Sequence, residues 1–404
     1  MKTQLTALTL CVATALGVAL FPAVGTSLAG HPPPTQVVPP PVALPVANER
    51  PRIEAVFVLD TTGSMSGLIE AAKEKIWSIA STMAAAQPAP EIRIGLVAYR
   101  DRGDAYVTRT VDLSADLDSL YATLMEFRAD GGGDGPESVN QALYDAVHGV
   151  SWSQEGQAYR AIFLVGDAPP HMDYQDDVTY PETVAAARAR GIVVNTIQAG
   201  RNPSTARAWQ QIADLGAGDF ARVDQAGSAV ALATPYDREL ARLSAELDAT
   251  RLYYGSESEQ VERRKKVDAA AKLHASASDE SRARRATFNA SASGKANLIG
   301  EGELVEEVAS GRVDLDALAP ELLPAPLQAM APAERKAEVA KQAAQRNELQ
   351  QRIGDLADRR AVYLRDKVEA SGGAEASLDD QLYRTIKEQA AASGLRYEAA
   401  APAY

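Results

Sequence analysis

From residue 53 to about residue 223, short apolar runs alternate with amphipathic segments. Residues 53–59 (IEAVFVL) are too short for a buried helix and rich in β-branched side chains, so they predict a buried strand. Ile69, Ile76, Ile79 and Met83 then recur at helical spacing, and Pro88 and Pro90 stop the segment. Residues 92–99 (IRIGLVAY) predict a second strand, and 106–111 (YVTRTV) a third, polar enough for a sheet edge. Leu117, Leu120, Leu124 and Phe127 mark a helix, and Val139, Leu143 and Val147 another. Residues 161–165 (AIFLV) and 192–197 (IVVNTI) predict two more buried strands. Helices near 181–190 and 204–215 flank the latter, and 220–223 closes the set as a last short strand. Strands alternating with helices imply an α/β fold, a doubly wound, mostly parallel six-stranded sheet covered on both faces. In such sheets ligands sit outside the C-terminal ends of the strands.

After about residue 233 the pattern becomes helical. Thr234-Pro235-Tyr236-Asp237 reads as a helix start, and Leu240, Leu243 and Leu247 continue as a stripe. Residues 261–293 are polar. Several prolines break the chain at 319–332, and a long helix is expected over 333–369, with Gly354 as a weak point. The predicted organisation is a leader at 1–29, a Pro-rich spacer at 30–50, an α/β domain at 51–232 and an α-helical region at 233–404, either packed or partly extended. The leader has Lys2 followed by an apolar run, with the small residues Ser27 and Ala29 before the expected cleavage point, as in a secretory signal. An extracytoplasmic protein is therefore expected, membrane-anchored if the leader stays uncleaved.

Charge and cysteine content narrow the chemistry. The net charge of -13 argues against nucleic-acid binding. The single cysteine, Cys11, lies in the leader, so disulfides, thiolate metal sites and a cysteine nucleophile are excluded from the rest of the chain. Four scattered histidines and the lack of phosphate-loop or dinucleotide motifs disfavour hydrolytic and nucleotide chemistry, so no catalytic residues are assigned.

Oxygen donors gather at the predicted strand ends. Asp60-Thr61-Thr62-Gly63-Ser64 follows the first strand and places a carboxylate and two hydroxyls at alternate positions. Gly131-Gly132-Gly133-Asp134-Gly135-Pro136-Glu137 precedes a helix, and Gly166-Asp167-Ala168-Pro169-Pro170-His171 follows the AIFLV strand. Oxygen-only donors suit a hard cation, Mg2+ first, with Mn2+ or Ca2+ as alternatives. Asp101, Asp104 and the basic run Arg263-Arg264-Lys265-Lys266 read as solvated surface, His171 as a loop residue beside the site, and Trp77, Trp152 and Trp209 as packing.

These motifs, in this order, resemble the von Willebrand factor A (integrin I-like) domain family, in a microbial branch, over about residues 51–232. The family's metal-ion-dependent adhesion site begins Asp-x-Ser-x-Ser; Asp60, Thr62 and Ser64 match it, with Thr62 for the first serine. The family's later aspartate matches Asp167. Where the family uses a loop threonine, this chain offers Asp134, or alternatively Glu137. The resemblance implies a metal-dependent adhesion or scaffold module that docks a protein partner at the metal face. Two alternatives stand beside it. One is a structural envelope protein whose metal only braces the loops. The other is an aspartyl-phosphate phosphotransferase, since the turn at Asp60 is loosely similar to the Asp-Lys-Thr-Gly-Thr of transport ATPases.

Overall fold

The computed structural model describes residues 50–133, 135–154, 157–225, 232–370 and 377–398. The expected leader, nearly all of the Pro-rich spacer and Asp134 lie outside the described residues.

Six strands form one sheet: β1 (Arg52–Asp60), β2 (Glu91–Tyr99), β3 (Thr108–Ser114), β4 (Ala158–Gly166), β5 (Ile192–Ala199) and β6 (Ala217–Val223), in the order β3-β2-β1-β4-β5-β6. All neighbours are parallel except β3, which runs antiparallel to β2 at the edge. The architecture is the doubly wound, mostly parallel sheet that the pattern predicted. The third strand begins two residues later than expected. Tyr106 is drawn off it because its hydroxyl meets Thr61 Oγ1 at 2.7 Å.

Side-chain alternation divides the strands between two cores. Val56, Val58, Val97, Ile162 and Leu164 face α3 (Val139–His148), α4 (Tyr180–Ala189) and α5 (Pro203–Leu215), with Trp209 fully enclosed. Phe57, Leu96, Phe163 and Val165 face the other way, toward α1 (Ser66–Ala84) and α2 (Leu117–Leu124), and Phe57 stacks on Phe163 at 5.3 Å.

The helices after residue 236 are α6 (Asp237–Asp248), α7 (Glu257–Ser276), α8 (Asp279–Ala290), the short α9 (Lys295–Ile299), α10 (Leu304–Ala309) and α11 (Ala325–Gln328), then α12 (Pro332–Ala370) and α13 (Leu378–Ala390). They are packed rather than extended. Leu240, Leu243, Leu247, Leu298, Leu349 and Ile353 close one core of their own. Leu378, Leu382, Tyr383 and Ile386 of α13 join the core on the α1 side of the sheet. Gln389 links Tyr159 Oη (2.8 Å), Asn195 Oδ1 (2.7 Å) and Asp219 (2.9 Å), and residue 87 pairs with residue 396 through two backbone hydrogen bonds. The last helix thus covers part of the sheet. At about 1.5 Å per residue α12 is roughly 58 Å long. It passes Gly354 without a break, because buried Leu349, Ile353 and Arg360 hold it on both sides.

Buried ion pairs tie the layers together. Arg285 of α8 grips Asp118 of α2 through two bonds of 2.6 Å, with both side chains fully buried. Arg346 of α12 binds Glu303 with two bonds of 2.9 Å, Arg360 binds Asp237 at 2.7 Å, and Lys75 of α1 binds Asp379 of α13 at 3.1 Å. The basic run at 263–266 is only partly solvated. Lys266 is buried and binds Asp116 at 2.8 Å, since α7 packs on α2 and turns that residue inward.

Candidate metal centre at the strand ends

Parallel pairing sets the C-terminal ends of β1, β2 and β4 side by side, with Asp60 opposite Tyr99 in register. The turn after β1 is stitched to its neighbours by backbone bonds: Thr61 N to Tyr99 O (2.9 Å), Asp130 N to Thr61 O (3.1 Å) and Gly63 N to Gly131 O (3.2 Å). The loop before α3 is fastened to the one after β4, with Glu137 N donating to Pro169 O and His171 N to Glu137 O, both at 3.0 Å. Glycine is needed where these loops crowd. Gly132 has φ 78°, and a methyl there would stand 3.1 Å from Thr62 Cβ and 3.2 Å from Glu137 Oε1. A side chain on Gly166 would press on the Tyr99 hydroxyl and on Asp60.

Asp60 and Thr62 are buried. Asp60 Oδ1 accepts from Thr62 N (2.9 Å) and Thr62 Oγ1 (2.6 Å), and Ser64 Oγ, exposed at the rim, lies 3.5 Å from Thr62 Oγ1. Asp167 is half-buried, and its charge acts on Asp60. Gln225 donates from Nε2 both to Asp167 Oδ2 (2.6 Å) and to the Ser64 carbonyl (3.2 Å), bridging two of the three loops. The structure therefore gathers Asp60, Thr62, Ser64 and Asp167 at one rim. Asp134 lies outside the described residues. Glu137, from the same loop, is buried beside Thr62 and only 4% exposed.

Three buried oxygens here have no hydrogen-bond partner: Asp60 Oδ2, Glu137 Oε2 and Tyr99 Oη. An unpaired buried polar atom is costly, and three in one place call for a cation or water. The electrostatics agree. Burial pushes the Asp60 carboxyl up to about 7, against hydrogen bonds from Thr62 that pull it down, and Asp167's charge adds to the rise. Burial pushes Glu137 up to about 9, helped by the charges of Asp60, Asp101, Asp104 and Asp167. Tyr99 is raised well above its ordinary value by burial and then by Asp60, Glu137 and Asp167. The donor set fits a hard cation. Among the described residues no three Asp, Glu, His or Cys side chains close on one point, so such an ion would also depend on the two hydroxyls and on water.

Two residues at this end behave differently from the sequence expectation or were missed by it. Asp101 is buried rather than solvated: it accepts from Ser138 Oγ (2.8 Å) and Tyr174 Oη (3.0 Å), and His171 Nε2 lies 3.3 Å away. Its buried position follows from α3, which brings Ser138 over the end of β2. Tyr99 reads as plain strand core in sequence; only its register opposite Asp60 marks it as part of the site.

Residues 54–234 match the family described as von Willebrand factor A domain. A 121-residue stretch is 29% identical to the alpha-protein kinase vwkA of Dictyostelium discoideum, covering 30% of this chain and 19% of that protein, so the match spans about a fifth of that relative's length. Among solved structures, the conserved hypothetical protein BatB from Bacteroides thetaiotaomicron is 19% identical, with 43% of this chain and 90% of that chain covered and a TM-score of 0.33. Proximal thread matrix protein 1 from the mussel byssus, with a zinc-occupied MIDAS motif, is 14% identical, with 43% and 42% covered and a TM-score of 0.35. The family match covers residues 54–234 and leaves the helices that follow outside it.

Proposed function

We propose that this chain is a binding module, not an enzyme, in which the rim of the von Willebrand factor A domain holds one hard divalent cation and docks a protein partner. The observation that carries this reading is the trio of unpartnered buried oxygens, Asp60 Oδ2, Glu137 Oε2 and Tyr99 Oη, beside the hydroxyls of Thr62 and Ser64. Ser64, Thr62 and Glu137 would hold the ion with Asp60 and Asp167, the latter two partly through water. When bound, the ion supplies a positive point to which a partner's oxygen can attach and neutralises the acids that crowd the rim. Mg2+ is the first choice because the donors are all oxygen, with Mn2+ and Ca2+ as alternatives. The envelope-scaffold alternative keeps the same ion as a brace between the three loops.

Export is part of the same proposal and rests on the leader at 1–29. No described helix is long and apolar enough to cross a membrane.

The test is a thermal-shift titration with MgCl2 and MnCl2 after chelation. Wild type is expected to gain about 2.7 kcal/mol when the free ion reaches about a hundred times its Kd, and Asp60→Ala to gain nothing. An equal shift in both proteins, or none in wild type, defeats the metal reading.

A further inference from the structure

The proposed rim has an electrostatic difficulty. The rim carries the acids Asp60, Glu137 and Asp167, whose charges act on one another, in a chain of net charge -13. An anionic group approaching there meets more negative charge than the ion offsets. A docking carboxylate needs positive charge from elsewhere.

The structure has such a place next door. A cleft of about 460 Å³ opens beside the Asp60 turn, lined by Arg100, Tyr106, Arg109, Glu126, Arg128 and Asp130. Thr61 joins the cleft to the turn: its hydroxyl meets Tyr106 Oη at 2.7 Å, and its carbonyl accepts from Asp130 N at 3.1 Å. The Tyr106 ring lies near two guanidinium groups, with Arg100 Cζ 4.6 Å and Arg109 Cζ 5.4 Å from its centroid. Arg100 is only 5% exposed. Its Nη2 donates to the Arg128 carbonyl at 2.8 Å and its Nη1 is 3.6 Å from Asp130, while its buried Nε has no hydrogen-bond partner. A buried guanidinium with an unused donor is an expensive group to keep without an anion. Arg109 and Arg128 are exposed and make no ion pair among the described residues, whereas Glu126 is already engaged by Lys272 at 2.9 Å.

We propose that this cleft is the subsite for a carboxylate side chain of an acidic peptide segment, whose neighbouring carboxylate reaches the cation rim across Thr61. The inference rests on the docking function proposed above and adds the class of partner. A carboxylate suits the cleft better than a phosphate. The guanidinium fork matches a planar carboxylate, and Glu126 and Asp130 at the edge repel a dianion about twice as strongly as a monoanion. A nucleic-acid partner would meet the net negative charge along its whole backbone.

The experiment uses the full chain and a fluorescein-labelled hexaglutamate peptide, read by fluorescence anisotropy with MgCl2 present. Wild type is expected to bind, weakly and with strong salt dependence. Arg109→Ser combined with Arg128→Ser should weaken binding by at least about tenfold while leaving the Mg2+ thermal shift intact; both residues are exposed, so the fold is expected to tolerate the change. Binding by the double variant equal to wild type, or no binding by wild type, overturns the proposal. Stronger competition by a phosphoserine peptide than by unlabelled hexaglutamate overturns the choice of a carboxylate. If chelation and Asp60→Ala leave binding and its arginine dependence unchanged, the cleft stands and the metal-dependent reading fails.

Discussion

Buried charge occurs in two regions of this molecule, with opposite character. Where the helices pack on one another and on the domain, every buried acid named above has a cation: Asp118 has Arg285, Glu303 has Arg346, Asp237 has Arg360 and Asp379 has Lys75. At the strand ends, Asp60 and Glu137 are buried as deeply, yet each keeps an oxygen with no partner and each is pushed toward protonation. The first arrangement fixes which surfaces meet. The second leaves unfavourable charge that the proposed cation would offset. Burial alone therefore does not separate the two kinds of acid; the partner count does.

Three substitutions sharpen that contrast. The largest effect is expected from Asp118→Ala, which leaves fully buried Arg285 with Asp248, at 2.9 Å, as its remaining carboxylate and should cost about 3 kcal/mol in urea unfolding. A cost under about 1 kcal/mol would mean that the helical region is not anchored by this pair. Asp116→Asn comes next. Burial works to raise this carboxyl, but Lys266 and hydrogen bonds from Lys266 and Ser119 outweigh it and hold it below its ordinary 3.8. A depressed pKa means that the native state binds fewer protons than the unfolded chain, so the stability it contributes is present above about 3.8 and is lost as pH falls through the lower, folded value. Asn at this position should cost about 1.5–3 kcal/mol near neutral pH and should flatten the acid limb of a stability–pH curve. An unchanged limb would remove Asp116 from the account. The smallest effect belongs to Glu137→Gln. Without divalent ion, it should leave stability within about 1 kcal/mol of wild type, since no cation is stranded, while weakening the Mg2+ thermal shift. A loss like that of Asp118→Ala would make Glu137 a structural acid after all.

The strands and most helices of residues 53–223 were legible in sequence because buried parallel strands and amphipathic helices write their burial into local periodicity. The three oxygen-bearing loops were legible too, since each follows or precedes an element of known direction. The Asp60–Ser64 turn, Asp167 and the edge position of β3 needed only the chain itself. What the tertiary structure decided lies in contacts between segments far apart in the chain. Glu137 beside Thr62, Tyr99 opposite Asp60, and Gln225 spanning Ser64 and Asp167 depend on strand register and loop stacking. The burial of Asp101 and Lys266 depends on which helix covers them. Polar residues carry no periodic signature of burial, because whether a charge is solvated, paired or left waiting is set by the partner that folding brings to it.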